Sequence, residues 1–89
     1  MIRVTESPRF KRAYKHLVQG RPALEKTFRE TLLLFIQDPY DPQLATHKLK
    51  GKLKESFAFS LTWKLRVVFS FGEPGTAILE DIGPHDKVY

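Results

Sequence analysis

Residues 57–71 read Phe57-Ala58-Phe59-Ser60-Leu61-Thr62-Trp63-Lys64-Leu65-Arg66-Val67-Val68-Phe69-Ser70-Phe71, and their period decides the fold. Phe57, Phe59, Leu61 and Trp63 alternate with Ala58, Ser60 and Thr62. Leu65, Val67, Phe69 and Phe71 then alternate with Arg66, Val68 and Ser70. Successive side chains of a strand point to opposite faces, so period two predicts strands with one face on a core. Gly72-Glu73-Pro74-Gly75 is turn chemistry, and residues 76–82, Thr-Ala-Ile-Leu-Glu-Asp-Ile, form a further strand. On this parity Arg66 and Ser70 face away from the core. Arg66 is then either a salt-bridged surface residue, with Asp81 as a candidate partner, or a floor residue of a groove.

Upstream of residue 43 the period is helical. Ile2-Arg3-Val4-Thr5 reads as a short opening strand, and Ser7-Pro8 supplies an N-cap and a first-turn proline. Phe10, Ala13, Tyr14, Leu17 and Val18 make one helical stripe, with Arg9, Lys11, Arg12 and Lys15 on the remaining surface. Gln19-Gly20-Arg21-Pro22 closes this helix and opens a second, whose stripe is Leu24, Phe28, Leu32, Phe35 and Ile36. Asp38-Pro39-Tyr40-Asp41-Pro42 ends it, because proline cannot continue a helix. The expected fold is α+β: an N-terminal strand, then an antiparallel two-helix hairpin packed on one face of a mainly antiparallel sheet of about four strands. Eighty-nine residues suit a single domain spanning 1–89.

The chain has no cysteine, which excludes disulfides and thiolate zinc sites and fits a reducing cytoplasm. Its longest apolar runs are about five residues, far below a membrane span. The net charge of +5 is uneven: residues 1–37 carry eight Lys or Arg against three Glu, whereas residues 55–89 are net acidic. Such a distribution suits a polyanionic or acidic partner, although many surface lysines serve only solubility.

Groups capable of proton transfer and phosphate binding stand at three places. His47 opens the ladder His47-Lys48-Leu49-Lys50-Gly51-Lys52-Leu53-Lys54, Arg66 lies within a strand, and the chain closes on Gly83-Pro84-His85-Asp86-Lys87-Val88-Tyr89. Histidine titrates near neutrality, and lysine and arginine bind phosphate. In an extended ladder Lys48, Lys50, Lys52 and Lys54 share one side, as an RNA-backbone contact or as the charged guard of a solvated edge strand. His47 is either a chemical group or the cap of a turn before the ladder. His16, beside the first helical stripe, reads as a surface or partner-facing residue.

Taken in order, these pieces resemble the RelE/ParE superfamily of bacterial toxins from type II toxin–antitoxin pairs, nearest its YafQ-like and RelE/StbE-like branch. The likeness runs over nearly the whole chain: Ser7-Pro8-Arg9-Phe10, the helical hairpin, Asp38-Pro39, His47-Lys48-Leu49-Lys50-Gly51, Leu65-Arg66-Val67-Val68-Phe69, and Ile82 through Tyr89. It implies a cytoplasmic, ribosome-dependent mRNA endoribonuclease that blocks translation without metal or cofactor. The implied chemistry is attack of a ribose 2′-hydroxyl on the adjacent phosphate. His85 would be the proton donor, Arg66 the phosphate clamp, and His47 a second acid/base or orienting group. Tyr89 would stack on a base or hydrogen-bond near the phosphate, and Lys48, Lys50, Lys52, Lys54 and Lys64 would contact RNA. The implied partners are a cognate antitoxin, mRNA in the ribosomal A site, ribosomal RNA, and operator DNA only as a toxin–antitoxin complex. An acidic antitoxin segment suits the basic first helix at Arg9, Lys11, Arg12 and Lys15.

The chain departs from that pattern at Ser60, Lys64-Leu65 and Asp81, where YafQ-like enzymes carry a histidine, an Asp-Trp pair and an arginine. Asp81 puts negative charge where those enzymes hold a phosphate-binding cation. Two other readings therefore stand beside the enzyme: a ParE-like, non-enzymatic inhibitor of DNA gyrase, and a degenerate toxin that only binds its antitoxin.

Overall fold

A computed structural model describes residues 1–50 and 55–84. Strand β1 (Arg3–Glu6) leads into helix α1 (Pro8–Val18) and helix α2 (Pro22–Gln37). A 3₁₀ turn at Pro42–Leu44 then precedes β2 (His47–Lys48), β3 (Phe57–Ser60), β4 (Leu65–Phe71) and β5 (Thr76–Pro84). The strands form one sheet in the order β1-β5-β4-β3-β2. The α+β layout stands as expected, with one more strand than the four read from the sequence. β1 pairs with β5 in parallel, and the other pairs are antiparallel.

Local chemistry explains the helix ends. Ser7 Oγ accepts from Phe10 N at 3.0 Å, so the cap satisfies one of the amides left without a partner in the first turn. The same hydroxyl donates to Glu80 O at 3.2 Å, which ties α1 to β5. Gly20 follows α1 at φ +70°, a left-handed geometry that glycine adopts without steric cost. Asp38 ends α2 and its Oδ1 accepts from Tyr40 N at 2.9 Å.

The core lies between the helices and one sheet face. Phe10, Phe28 and Phe35 from the helices meet Phe59, Leu65, Val67, Phe69, Ala77, Leu79 and Ile82 from the sheet. Phe35 sits between two strands, with ring centroids 4.7 Å from both Phe59 and Phe69. Burial pushes the Tyr14 phenol above its usual pKa, with repulsion from Glu25 acting in the same direction. On the opposite sheet face Leu49, Ala58 and Val68 form a small second cluster.

Two departures from strict period two shape the site. β3 ends at Ser60, so Trp63 is not an inward strand residue: it is 83% exposed. Thr62 stops the strand, because its Oγ1 accepts from the backbone N–H groups of Lys64 at 3.3 Å and Leu65 at 3.2 Å. In β5, Phe69 faces Leu79 while Val68 faces Asp81, leaving Glu80 as the extra residue of a bulge. Uninterrupted alternation from Leu79 would turn Asp81 into the core. The bulge returns Ile82 to the core and keeps the Asp81 carboxylate out of it.

Candidate functional site

Cross-strand partners share a face of the sheet, so register places the site residues. His47 pairs with Ala58, Ala58 with Val68, and Ser60 with Arg66. Ala58 and Val68 belong to the face away from the helices. His47, Ser60 and Arg66 therefore lie on that same face. Two inter-strand steps and two residues separate His47 from Arg66, roughly 10–12 Å between Cα atoms. That spacing lets the two side chains address different parts of one extended ligand. β5 adds Gly83 directly beside Arg66 and Pro84 beside Leu65. Gly83 has no side chain to cover the guanidinium from that strand.

The loop between β3 and β4 orients Arg66. Its Nη1 donates to the carbonyls of Thr62 at 3.2 Å, Leu65 at 3.3 Å and Trp63 at 3.4 Å. These bonds fix the plane of the fork while Nη2 and Nε make no hydrogen bond among the described residues. A guanidinium held by one nitrogen can offer its remaining edge to a phosphate. Arg66 has no carboxylate partner among the described residues, so the floor-residue reading suits it better than the salt-bridged one.

His47 is exposed, and its Nδ1 lies 3.1 Å from Ala45 O. A carbonyl can only accept, so Nδ1 is the donor in this contact. Ala45 supplies this contact from a left-handed backbone, φ +51°, unusual for a residue with a Cβ. Lys48 pairs with Phe57, which packs against the helix-side core, so it projects to the face opposite His47 and Arg66. Lys50 is exposed beyond the buried Leu49. Lys64 is exposed in the β3–β4 loop with its Nζ 4.9 Å from the Trp63 ring centroid.

Asp81 does not partner Arg66. Its Oδ2 lies 3.2 Å from Arg9 Nη2, with Asp81 largely covered and Arg9 largely exposed. Its Oδ1 accepts from Ile82 N at 2.9 Å. The carboxylate at the unexpected position is thus neutralised from the first turn of α1, a pairing that strand parity could not reveal because it crosses elements. Lys11, Arg12 and Lys15 are exposed along α1. Arg12, Ala13, Lys15, His16 and Gln19 line a groove of about 560 Å³. No group of three or more His, Cys, Asp or Glu among the described residues could hold a metal ion. No helix among them is long and apolar enough to cross a membrane. Four residues named from the sequence, His85, Tyr89, Lys52 and Lys54, lie outside the described residues.

This α+β unit, with a helical hairpin on one face of a five-stranded sheet, has the fold of several solved toxins. YafQ from Escherichia coli superimposes with a TM-score of 0.80 at 15% identity, covering 100% of this chain and 99% of that one. A metal-bound toxin from Helicobacter pylori gives 0.76 at 26% identity, covering 100% of both chains. The YoeB–YefM complex from Staphylococcus aureus gives 0.76 at 19% identity, covering 96% of this chain and 98% of that one. No protein-family model matches the chain, and no curated protein sequence matches it. The resemblance to the RelE/ParE superfamily is borne out in the fold.

Proposed function

We propose that this chain is the toxin of a type II toxin–antitoxin pair and acts as a metal-independent, ribosome-dependent mRNA endoribonuclease. The observation that carries the reading is the sheet face shared by Arg66 and His47, with β5 bringing Gly83-Pro84, the residues immediately before His85 in sequence, alongside Arg66. The Arg66 fork binds the non-bridging oxygens of the scissile phosphate as charge gathers there. His47 takes the 2′-hydroxyl proton as the O2′–P bond forms. His85 gives a proton to the departing 5′-oxygen as the P–O5′ bond breaks. The products are a 2′,3′-cyclic phosphate and a 5′-hydroxyl. Tyr89 and the lysines Lys48, Lys50, Lys52, Lys54 and Lys64 act on RNA around this centre, Lys48 reaching strands that pass over the β2 edge rather than the site itself.

The antitoxin partner is an acidic segment seated on Arg9, Lys11, Arg12 and Lys15, where the groove of α1 is lined by two of these cations. YoeB, a protein of this fold, is solved with YefM, which supports a protein partner here. Action on translating ribosomes places the protein in the cytoplasm. The degenerate-toxin reading drew on Asp81; its pairing with Arg9 weakens that argument.

The test is to express the wild type and His85→Ala and to map mRNA 5′ ends on translating ribosomes. New ends with the wild type and none with His85→Ala are expected. Equal absence in both, or growth arrest with DNA damage and intact mRNA, would overturn the reading.

A further inference from the structure

We propose that the Trp63 indole is a stacking platform for an unpaired nucleobase next to the phosphate held by Arg66, an assignment that rests on the ribonuclease reading above. A single exposed apolar side chain is ordinary. Three features set Trp63 apart from the exposed Tyr40 and Phe71, whose rings pack on each other at 6.2 Å.

The first is rigid presentation. Residues 61–65 are closed by Leu61 N donating to Leu65 O at 2.9 Å and by the two N–H groups that Thr62 Oγ1 accepts. The indole, 83% exposed, is thus held out by a fixed loop rather than a pliant one. A platform ordered in advance loses little freedom when a ring settles on it. The second is the ring's own partner. Lys64 Nζ stands over the indole at 4.9 Å from its centroid, leaving the opposite face for a flat π-system and adding a cation for its phosphate. The third is the link to the phosphate clamp. Arg66 Nη1 donates to the carbonyl of Trp63 itself, so the indole and the guanidinium are fixed to one another through one residue's backbone. A nucleotide offers the same two features joined, a charged phosphate and an aromatic base. Stacking of this kind tolerates any base, because every base has a π-face.

The measurement is direct because Trp63 is the chain's single tryptophan. The full chain is titrated with a short single-stranded 2′-O-methyl RNA, which cannot be cleaved, and with the same backbone carrying abasic sites. Binding is read by anisotropy of a label on the RNA, and stacking by indole emission in a parallel titration without the label. Indole emission should be quenched in step with RNA binding, and abasic RNA should bind without quenching. Trp63→Ala should weaken binding by about 5- to 150-fold and abolish the preference for bases over abasic sites. Trp63→Phe should retain part of that preference.

RNA binding with unchanged emission and an unaffected Trp63→Ala variant would overturn the platform and leave the RNA-binding reading standing. Absence of RNA binding at any concentration would overturn both. Equal quenching by an oligoglutamate of matched charge would assign the ring to a protein partner and overturn the proposal.

Discussion

Replacing Arg66 by alanine separates the structural job seen in the β3–β4 loop from the chemical job proposed for it, because the two differ in size. The structural job is small. One nitrogen is shared among three carbonyl acceptors at 3.2–3.4 Å, all long contacts in a half-exposed loop where water can replace the donor. Their loss should cost about 1 kcal/mol, or a melting temperature lower by about 4–8 °C for a domain of this size. The proposed chemical job is larger. A preorganised donor aimed at transition-state charge is worth about 10²–10³ in rate, near 3–4 kcal/mol. Arg66→Ala should therefore fold, melt slightly earlier, and cut ribosome-bound mRNA more slowly by at least about a hundredfold. Arg66→Lys keeps the charge but not the planar fork and should fall between. The assay is primer extension on purified ribosomes carrying a defined mRNA, beside thermal melting followed by circular dichroism. Cleavage by folded Arg66→Ala within about threefold of wild type would refute the clamp.

Three smaller predictions concern the frame around the site. Ser7→Ala removes an acceptor for Phe10 N and a donor to Glu80 O, and should cost about 1–2 kcal/mol in urea unfolding; a loss too small to measure would dismiss the cap. Ala45→Gly relieves the left-handed backbone at φ +51° and should raise stability by about 0.5 kcal/mol, part of the relief being offset by the freer unfolded chain; a lowered melting temperature would show that the backbone there is unstrained. A double-mutant cycle on Arg9→Ala and Asp81→Asn should give a coupling of about 0.5–1 kcal/mol that shrinks in high salt, since Arg9 is mostly exposed. A salt-insensitive coupling would place the pair in a drier setting than the structure does.

Much of the fold was legible in the sequence because bulky apolar residues repeat without interruption. The stripes through Phe10 and Tyr14 and through Phe28 and Phe35 have the helical period, and residues 65–71 have the strand period. The parity that turned Arg66 away from the helices held for the same reason. Trp63 was misread because alternation records which side a residue would face but not where a strand stops, and the Thr62 hydroxyl decides that. The β2 edge, two residues long, is too short for any period to register. Parity put the ladder's lysines on one side without saying which, and only the pairing with β3 shows that Lys48 faces away from Arg66. Asp81 was read as a liability because neither the Glu80 bulge nor the distant Arg9 leaves a local signature.

The central claim is that this sheet face moves a phosphoryl bond from the 5′-oxygen of one nucleotide to the 2′-oxygen of the nucleotide before it. The most direct measurement is the chemistry of the cut ends, made on purified ribosomes with an mRNA codon in the A site. The account predicts a 2′,3′-cyclic phosphate upstream and a 5′-hydroxyl downstream, and no cut when the nucleotide before the scissile phosphate carries a 2′-deoxy sugar. A 5′-phosphate product, or undiminished cutting at the 2′-deoxy site, would contradict it.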